Sequence, residues 1–227
     1  MLNAVIFDLD NTLLDFMKMK EYAVKAAISG MQEAGLKVDA EKAYERIIDM
    51  YNEEGWEHQQ IFDLFLTETI GHVDNKLLAA GIVSYRRARE ANLQVYPNVN
   101  STLSELMKMG IKLAVVSDAP SREAWMRLYY LNLHHIFDVV LTFDDSGKRK
   151  PSPIPFKIAL EKLNCAAENT LMVGDWPERD VEGAKQLGMK TIFARYGDTF
   201  GTTDSGADWD VDDIHQIVEI VSNLNAT

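Results

Sequence analysis

The sequence predicts an α/β fold, a doubly wound parallel sheet with a helical bundle inserted after its first strand. Three observations carry that prediction. Short unbroken apolar runs, beginning with Ala4-Val5-Ile6-Phe7, recur along the chain. Such runs suit strands buried on both faces of a parallel sheet rather than strands with one wet face. From Tyr96 onward they alternate with stretches of helical periodicity, the pattern of a sheet covered by helices on both sides. Between Phe16 and Asn92 the chain shows helical periodicity and little strand signal, so that stretch stands apart.

The first strand runs straight into Asp8-Leu9-Asp10-Asn11-Thr12. Phe16, Met19, Ala23, Ala26, Gly30 and Ala34 then form one stripe of a helix that Gly35 stops. Asp39 caps a second helix, with Tyr44, Ile47 and Tyr51 on one side, and Gly55 breaks it. A third spans about His58 to Ile70, ended by Gly71, and a fourth follows the cap candidate Asp74 through Leu77, Ile82, Tyr85 and Ala88. Short connections between amphipathic helices predict a small antiparallel bundle. Next comes a helix with Leu103, Leu106 and Met107, a strand from Ile111 to Ser117, and a helix starting at Ser121. The strand Phe137 to Thr142, a polar loop from Asp144 to Pro153 and a helix ending near Leu163 follow. Then come the strand Asn169 to Gly174, a helix ending at Leu187-Gly188 and the strand Lys190 to Ala194. Gly197 to Gly206 reads as a loop, Asp208 to Val211 as a short strand, and Ile214 to Leu224 as the last helix. Residues 1–15 and 93–227 are therefore expected to form one α/β (Rossmann-like) core domain, and residues 16–92 an inserted helical cap domain. A domain inserted just after a strand end is expected over the carboxyl edge of the sheet, where open α/β sheets bind ligands.

A formal net charge of -12 argues against nucleic acid and anionic membrane as partners, since both are polyanions. It leaves anionic small molecules open, because a local cation overrides a global charge. The one cysteine, Cys165, allows no intrachain disulfide and no thiolate metal site. The chain opens into a strand without a leader pattern, and no uncharged apolar stretch reaches the length needed to span a bilayer. The expectation is a soluble cytoplasmic protein, monomer or homodimer.

The strand ends carry the chemistry. The first ends at Asp8 and Asp10, the second at Ser117-Asp118, and the fourth at Gly174-Asp175, with Asp180 shortly after. The loop after the third contains Lys148-Arg149-Lys150-Pro151. In a doubly wound sheet these ends share one edge, so groups scattered in sequence converge. Asp8, Asp10, Asp175 and Asp180 would bring four formal negatives together. A hard divalent cation, most simply Mg²⁺, resolves that. A cation and a lysine facing a carboxylate nucleophile suit phosphoryl transfer.

These ordered motifs, Asp8-Leu9-Asp10-Asn11-Thr12, a strand ending in Ser117, Lys150-Pro151, and Gly174-Asp175 followed by Asp180, resemble those of the haloacid dehalogenase-like (HAD) superfamily with a class I helical cap. The resemblance covers essentially the whole chain. It implies that Asp8 is the nucleophile, forming an aspartyl-phosphate, and that Asp10 is the general acid and then the base. It implies Mg²⁺ held by the Asp8 side chain, the Asp10 backbone carbonyl, Asp175 and Asp180. Ser117 would bind a phosphoryl oxygen, with Asp118 beside it. Lys150 would stabilise charge on the nucleophile and the phosphoryl group. Thr12 would fix the turn, orient the carboxylates and border the substrate.

Within the family, dehalogenases and phosphonate-cleaving relatives lack the second aspartate, so Asp10 favours hydrolysis of the phosphate ester of a small phosphorylated metabolite. Phosphosugar mutases keep Asp10, but commonly place an apolar β-branched residue where Thr12 stands. Asp118, and Trp176-Pro177 in the acidic loop, depart from the commonest family pattern. Outside enzymes, a metal-binding phospho-acceptor module is the rival reading, disfavoured by the complete Asp8/Asp10/Ser117/Lys150/Asp175 set. For substrate recognition, Arg86, Arg87 and Arg89 have two readings, a second anion contact or a solvated face. Tyr51, Trp56 and His58 either line the site or pack the bundle. Arg122 reads as a surface ion pair rather than a substrate contact.

Overall fold

In the computed structural model, which describes residues 1–226, strand β1 (Ala4–Phe7) is fully buried. It is flanked by two parallel neighbours, β2 (Lys112–Val116) and β4 (Thr170–Gly174). With β3 (Val139–Leu141), β5 (Lys190–Ala194) and β6 (Trp209–Val211) they form a six-stranded sheet of order β3-β2-β1-β4-β5-β6. Every pairing is parallel. The chain winds outward from β1 through β2 to β3, then returns to the other side of β1 for β4, β5 and β6. The reversal falls between β1 and β4, and such a switch point opens a crevice at the carboxyl edge.

Both faces of the sheet are covered, as the unbroken apolar strands require. On one face Ala4, Ile6, Ala114, Val116 and Met172 pack against Phe156, Ala159, Leu160 and Leu163 of α8 (Pro153–Leu163). On β2 also lies α5 (Val99–Lys108), which packs against α10 (Gln216–Ala226). Two stretches differ from the sequence pattern. The polar loop before α8 contains a one-turn helix, α7 (Phe143–Ser146), held by a capping box between Thr142 and Asp145. The helix after β4 starts as a π-helical turn, Pro177–Val181, before α9 (Glu182–Lys185), with the Glu182 amide donating to the Pro177 carbonyl five residues back. Completing this part of the chain, α6 (Ser121–Tyr130) follows the end of β2.

The chain divides into two compact units, Met1–Asp15 with Gln94–Thr227, and Phe16–Leu93. The second unit holds α1 (Phe16–Glu33), α2 (Ala40–Glu54), α3 (Ile61–Ile70) and α4 (Asn75–Asn92). Its core includes Val24, Ile28, Met31, Ile47, Phe62, Phe65 and Leu66. A Cβ on Gly30 would meet Ser84 at 2.3 Å, and one on Gly81 would meet Met31 at 3.0 Å, so these glycines let α1 and α4 approach closely. Helix α3 starts at Ile61 rather than His58. The preceding turn is fixed otherwise: Trp56 stacks on Tyr51 with ring centroids 5.5 Å apart, and its carbonyl accepts from buried Lys20 at 2.6 Å. Tyr51 and Trp56 thus pack within this unit. Arg86 and Arg87 are exposed, Arg89 is partly covered, and His58 lies 4.0 Å from Glu54. Arg122 is 73% exposed and pairs with Glu123. Among the described residues no helix is long and apolar enough to cross a membrane.

Candidate active site

The register of the sheet places the site. Phe7 is level with Val115 and Val173, so Asp8 comes level with Val116 and Gly174, with Ser117 and Asp175 one residue beyond. The Asp8 amide donates to the Val173 carbonyl at 2.8 Å, holding the chain in line as the strand ends. Lys150, whose bond to Pro151 is cis, reaches in from the loop before α8. Its Nζ donates to Asp8 Oδ1 at 2.5 Å and to Asp180 Oδ1 at 2.6 Å. Asp8, Asp175 and Asp180 are all buried and offer carboxylate oxygens within 4.8 Å of one another.

Asp180 reaches this cluster because the chain turns back after β4. Its Oδ2 accepts from the Trp176 amide at 3.1 Å, and its carboxylate lies where a Cβ on Gly174 would stand, 2.2 Å away. Only glycine fits there. Thr12, fully buried, donates its hydroxyl hydrogen to Asp175 Oδ1 at 3.1 Å. That bond is the orienting part of its expected role: Thr12 holds Asp175.

Burial pushes the Asp8 carboxyl up from the ordinary range, against the pull of Lys150. Burial and the charges of Asp8 and Asp180 push Asp175 well up. Burial raises Asp180 to about 7, with Lys150 opposing and Asp8 reinforcing. Burial works against the charge of Lys150 as well, but Asp180 and Asp8 hold it protonated. One lysine against three buried carboxylates leaves the cluster short of positive charge. The donor set is all oxygen, converged and dry, so the residues fit a hard divalent cation.

The other expected residues take up definite places. Ser117, at the end of β2 and buried, accepts the Ala119 amide on its oxygen at 3.1 Å, which leaves its hydrogen for donation elsewhere. Asp118 is engaged on both oxygens, by the Lys150 amide at 2.9 Å and by Arg179 at 3.2 Å. Its carboxylate ties the end of β2 to the lysine loop and the acidic loop. Arg179 also lies 3.6 Å over the Trp176 ring, and Trp176 packs on Phe200. The unusual Trp176-Pro177 pair is therefore a stacking platform for Arg179. Lys148 is exposed, whereas Lys150 is buried in the cluster.

Asp10 lies outside the trio. Its Oδ2 accepts from Arg127 of α6 at 2.8 Å. The turn after it is clamped from β5's end: Tyr196 donates its hydroxyl to the Thr12 carbonyl at 2.8 Å, and a Cβ on Gly197 would stand 1.7 Å from the Asn11 carbonyl oxygen. Asn11 itself has φ 57°, a left-handed conformation that asparagine tolerates. Arg127, Tyr196 and Gly197 are not among the residues the sequence motifs single out.

The fold and the converged acidic site define a hydrolase of the doubly wound α/β class. A family model described as haloacid dehalogenase-like hydrolase matches residues 5–194, and the chain belongs to that family. It is similar to a glyceraldehyde 3-phosphate phosphatase of Methanocaldococcus jannaschii, 34% identical over 99% of each chain. It is also similar to a protein of that same description from Methanothermobacter thermautotrophicus, 35% identical over 97% of this chain and all of the relative. Among solved structures, a HAD phosphatase from Thermococcus onnurineus superposes with a TM-score of 0.72 at 26% identity, over 97% of this chain and 98% of that one.

Proposed function

We propose that this chain is a phosphatase that hydrolyses the monoester of a small phosphorylated metabolite through a covalent phosphate on Asp8. The observation that carries the reading is the buried Asp8, Asp175 and Asp180 cluster with Lys150 inside it. An oxygen of Asp8 attacks phosphorus, and the bond to the leaving oxygen breaks as Asp10 gives that oxygen its proton. The Asp10 carboxylate then takes a proton from water, whose oxygen attacks phosphorus and displaces Asp8, releasing inorganic phosphate. Lys150 and the Ser117 hydroxyl face the charge on the phosphoryl oxygens. Thr12 and Asp118 hold Asp175 and Lys150 in place. Asp8, Asp175, Asp180 and the Asp10 backbone carbonyl would hold Mg²⁺, which when bound neutralises charge on the phosphoryl group.

The relatives named as glyceraldehyde 3-phosphate phosphatases match over nearly the full chain, and they support a three-carbon phosphate as substrate. Asp10 supports an ester over a halide, because a leaving oxygen needs a proton and chloride does not. The deciding experiment is a panel of phosphorylated metabolites, glyceraldehyde 3-phosphate included, assayed for phosphate release with Mg²⁺ and with chelator. Mg²⁺-dependent release is expected, with a three-carbon phosphate turned over fastest. Asp8→Asn is expected to keep the fold by circular dichroism and to lose turnover by on the order of 10⁴-fold or more, the scale seen when a nucleophile is removed. Chloride release from 2-chloropropionate without Mg²⁺ would overturn the reading in favour of a dehalogenase.

A further inference from the structure

The ion pair between buried Arg127 and half-buried Asp10 has no part in the acidic cluster, yet one partner is the proposed acid and base. Arg127 sits on α6, a helix whose Trp125 and Tyr129 are exposed, but it is itself turned inward and only 6% exposed. Its NH1 donates to Asp10 Oδ2 at 2.8 Å, across 117 residues of sequence. Burying a guanidinium is costly, and an ion pair that buries one is weak evidence for stability, since well-packed apolar side chains often do as well. The pair therefore asks for another reason. The backbone around Asp10 is already fixed by the Gly197 and Tyr196 contacts on Asn11 and Thr12. Those contacts act on the backbone; Arg127 acts on the Asp10 side chain itself, through the bond to Oδ2.

The geometry points to Arg127 as the positioning residue for Asp10: it holds Oδ2, so that proton transfer to the leaving oxygen falls to Oδ1 in a set direction. A fixed carboxylate serves both halves of the reaction, giving its proton in the first and taking one from water in the second. The inference rests on the phosphatase reading above. It assigns Arg127 no contact with substrate and makes its effect pass wholly through Asp10.

That dependence is testable by leaving group. An alkyl phosphate such as glycerol phosphate needs the proton from Asp10, whereas p-nitrophenyl phosphate, with a good leaving group, needs it far less. With the Mg²⁺-loaded full chain, Arg127→Met is expected to lower the ratio of kcat/KM for glycerol phosphate over p-nitrophenyl phosphate by about tenfold to a hundredfold, the cost of a misplaced group. In an Asp10→Asn background the same substitution is expected to leave that ratio unchanged, because the group it positions is already gone. An equal loss on both substrates, or a loss that persists in the Asp10→Asn background, would overturn the inference and leave Arg127 a packing residue. If Arg127→Met fails to fold, Arg127→Gln, which keeps a polar head and removes the charge, carries the same two comparisons. Asp10→Asn alone tests the parent reading: if it leaves the ratio intact, the general-acid assignment fails first, and that failure is distinguishable from failure of the Arg127 assignment.

Discussion

Two lysines, one in each unit, are buried to the same degree, 5% exposed, and solve the problem of a buried charge in opposite ways. Lys150 lies between carboxylates, with Asp8 at 2.5 Å and Asp180 at 2.6 Å. Lys20 pairs with no carboxylate among the described residues; its ammonium gives a hydrogen bond to the Trp56 carbonyl and lies 4.2 Å from the centroid of the Tyr51 ring, with Phe16 and Tyr85 each at 5.6 Å. Aromatic faces are fixed and uncharged, so they shelter a cation without asking anything of it. Carboxylates at a strand edge form a charged cluster whose balance shifts when a ligand enters. The difference marks where chemistry is housed: in the unit where buried charges oppose one another and are left short of balance.

The comparison breaks or sharpens under paired substitution. Lys150→Met is expected to cost about a hundredfold to a thousandfold in kcat, as for loss of a group facing developing charge. It is also expected to destabilise the metal-free protein by about 3–5 kcal/mol, since it strands buried carboxylates. Lys20→Met is expected to leave kcat within about threefold and stability within about 2 kcal/mol, cation–ring attraction and relieved desolvation opposing each other. Steady-state kinetics and urea unfolding read both. If Lys20→Met costs as much turnover as Lys150→Met, the distinction is wrong and Lys20 belongs to the reaction.

A smaller effect tests the clamp on the turn that follows Asp8. Gly197→Ala places a methyl group against the Asn11 carbonyl, where no room exists, and must displace the turn that carries Asp10. Turnover is expected to fall by about a hundredfold, with the thermal midpoint moved less, because a displacement of about an ångström is enough to spoil alignment. Full activity in this variant would mean that the turn yields without moving Asp10.

The smallest effect is the pH dependence of stability. Asp8, Asp175 and Asp180 all have carboxyls raised by burial, Asp180 to about 7. The folded protein therefore holds more protons than the unfolded chain between the ordinary carboxylate value, about 3.9, and 7. With more protons bound in the folded state, stability falls as pH rises through that window. Mg²⁺ held by these carboxylates, as proposed, would favour the ionised form and is expected to cancel the fall. Thermal midpoints at pH 5 and pH 7.5, with Mg²⁺ and with chelator, check both halves; a chelated protein that gains stability toward pH 7.5 would contradict the assignment.

Much of this was legible in the sequence, for a definite reason. Unbroken apolar runs mark strands buried on both faces, and the first polar residue after each run must then lie at the carboxyl edge. Asp8, Ser117 and Asp175 follow from that rule alone, and sheet order brings them together. Residues that act across the chain carry no such mark. Arg127 reads as one more charge on an amphipathic helix until the structure turns it inward. Gly197 opens what looks like an ordinary loop, and its need for space is set by Asn11, distant in sequence. Lys20 stands beside Met19 in a helical stripe, where a lysine is expected to face water. The helix α7 did leave a signal, since Thr142 and Asp145 have capping-box spacing, but its polar composition hid it.

The central position of β1 has a consequence for how the molecule is made. The strand that leads into Asp8 finds its partners only much further along the chain, at Lys112–Val115 and Thr170–Val173. A strand that must wait for pairings so far along the chain pays a large loop-closure entropy and joins late. Asp8 thus precedes in sequence the groups it lies beside, and it is housed only when those later strands have paired with β1. A chain stopped before residue 170 would carry Asp8 without Asp175 or Asp180 beside it, so the three carboxylates converge only once that later stretch is in place.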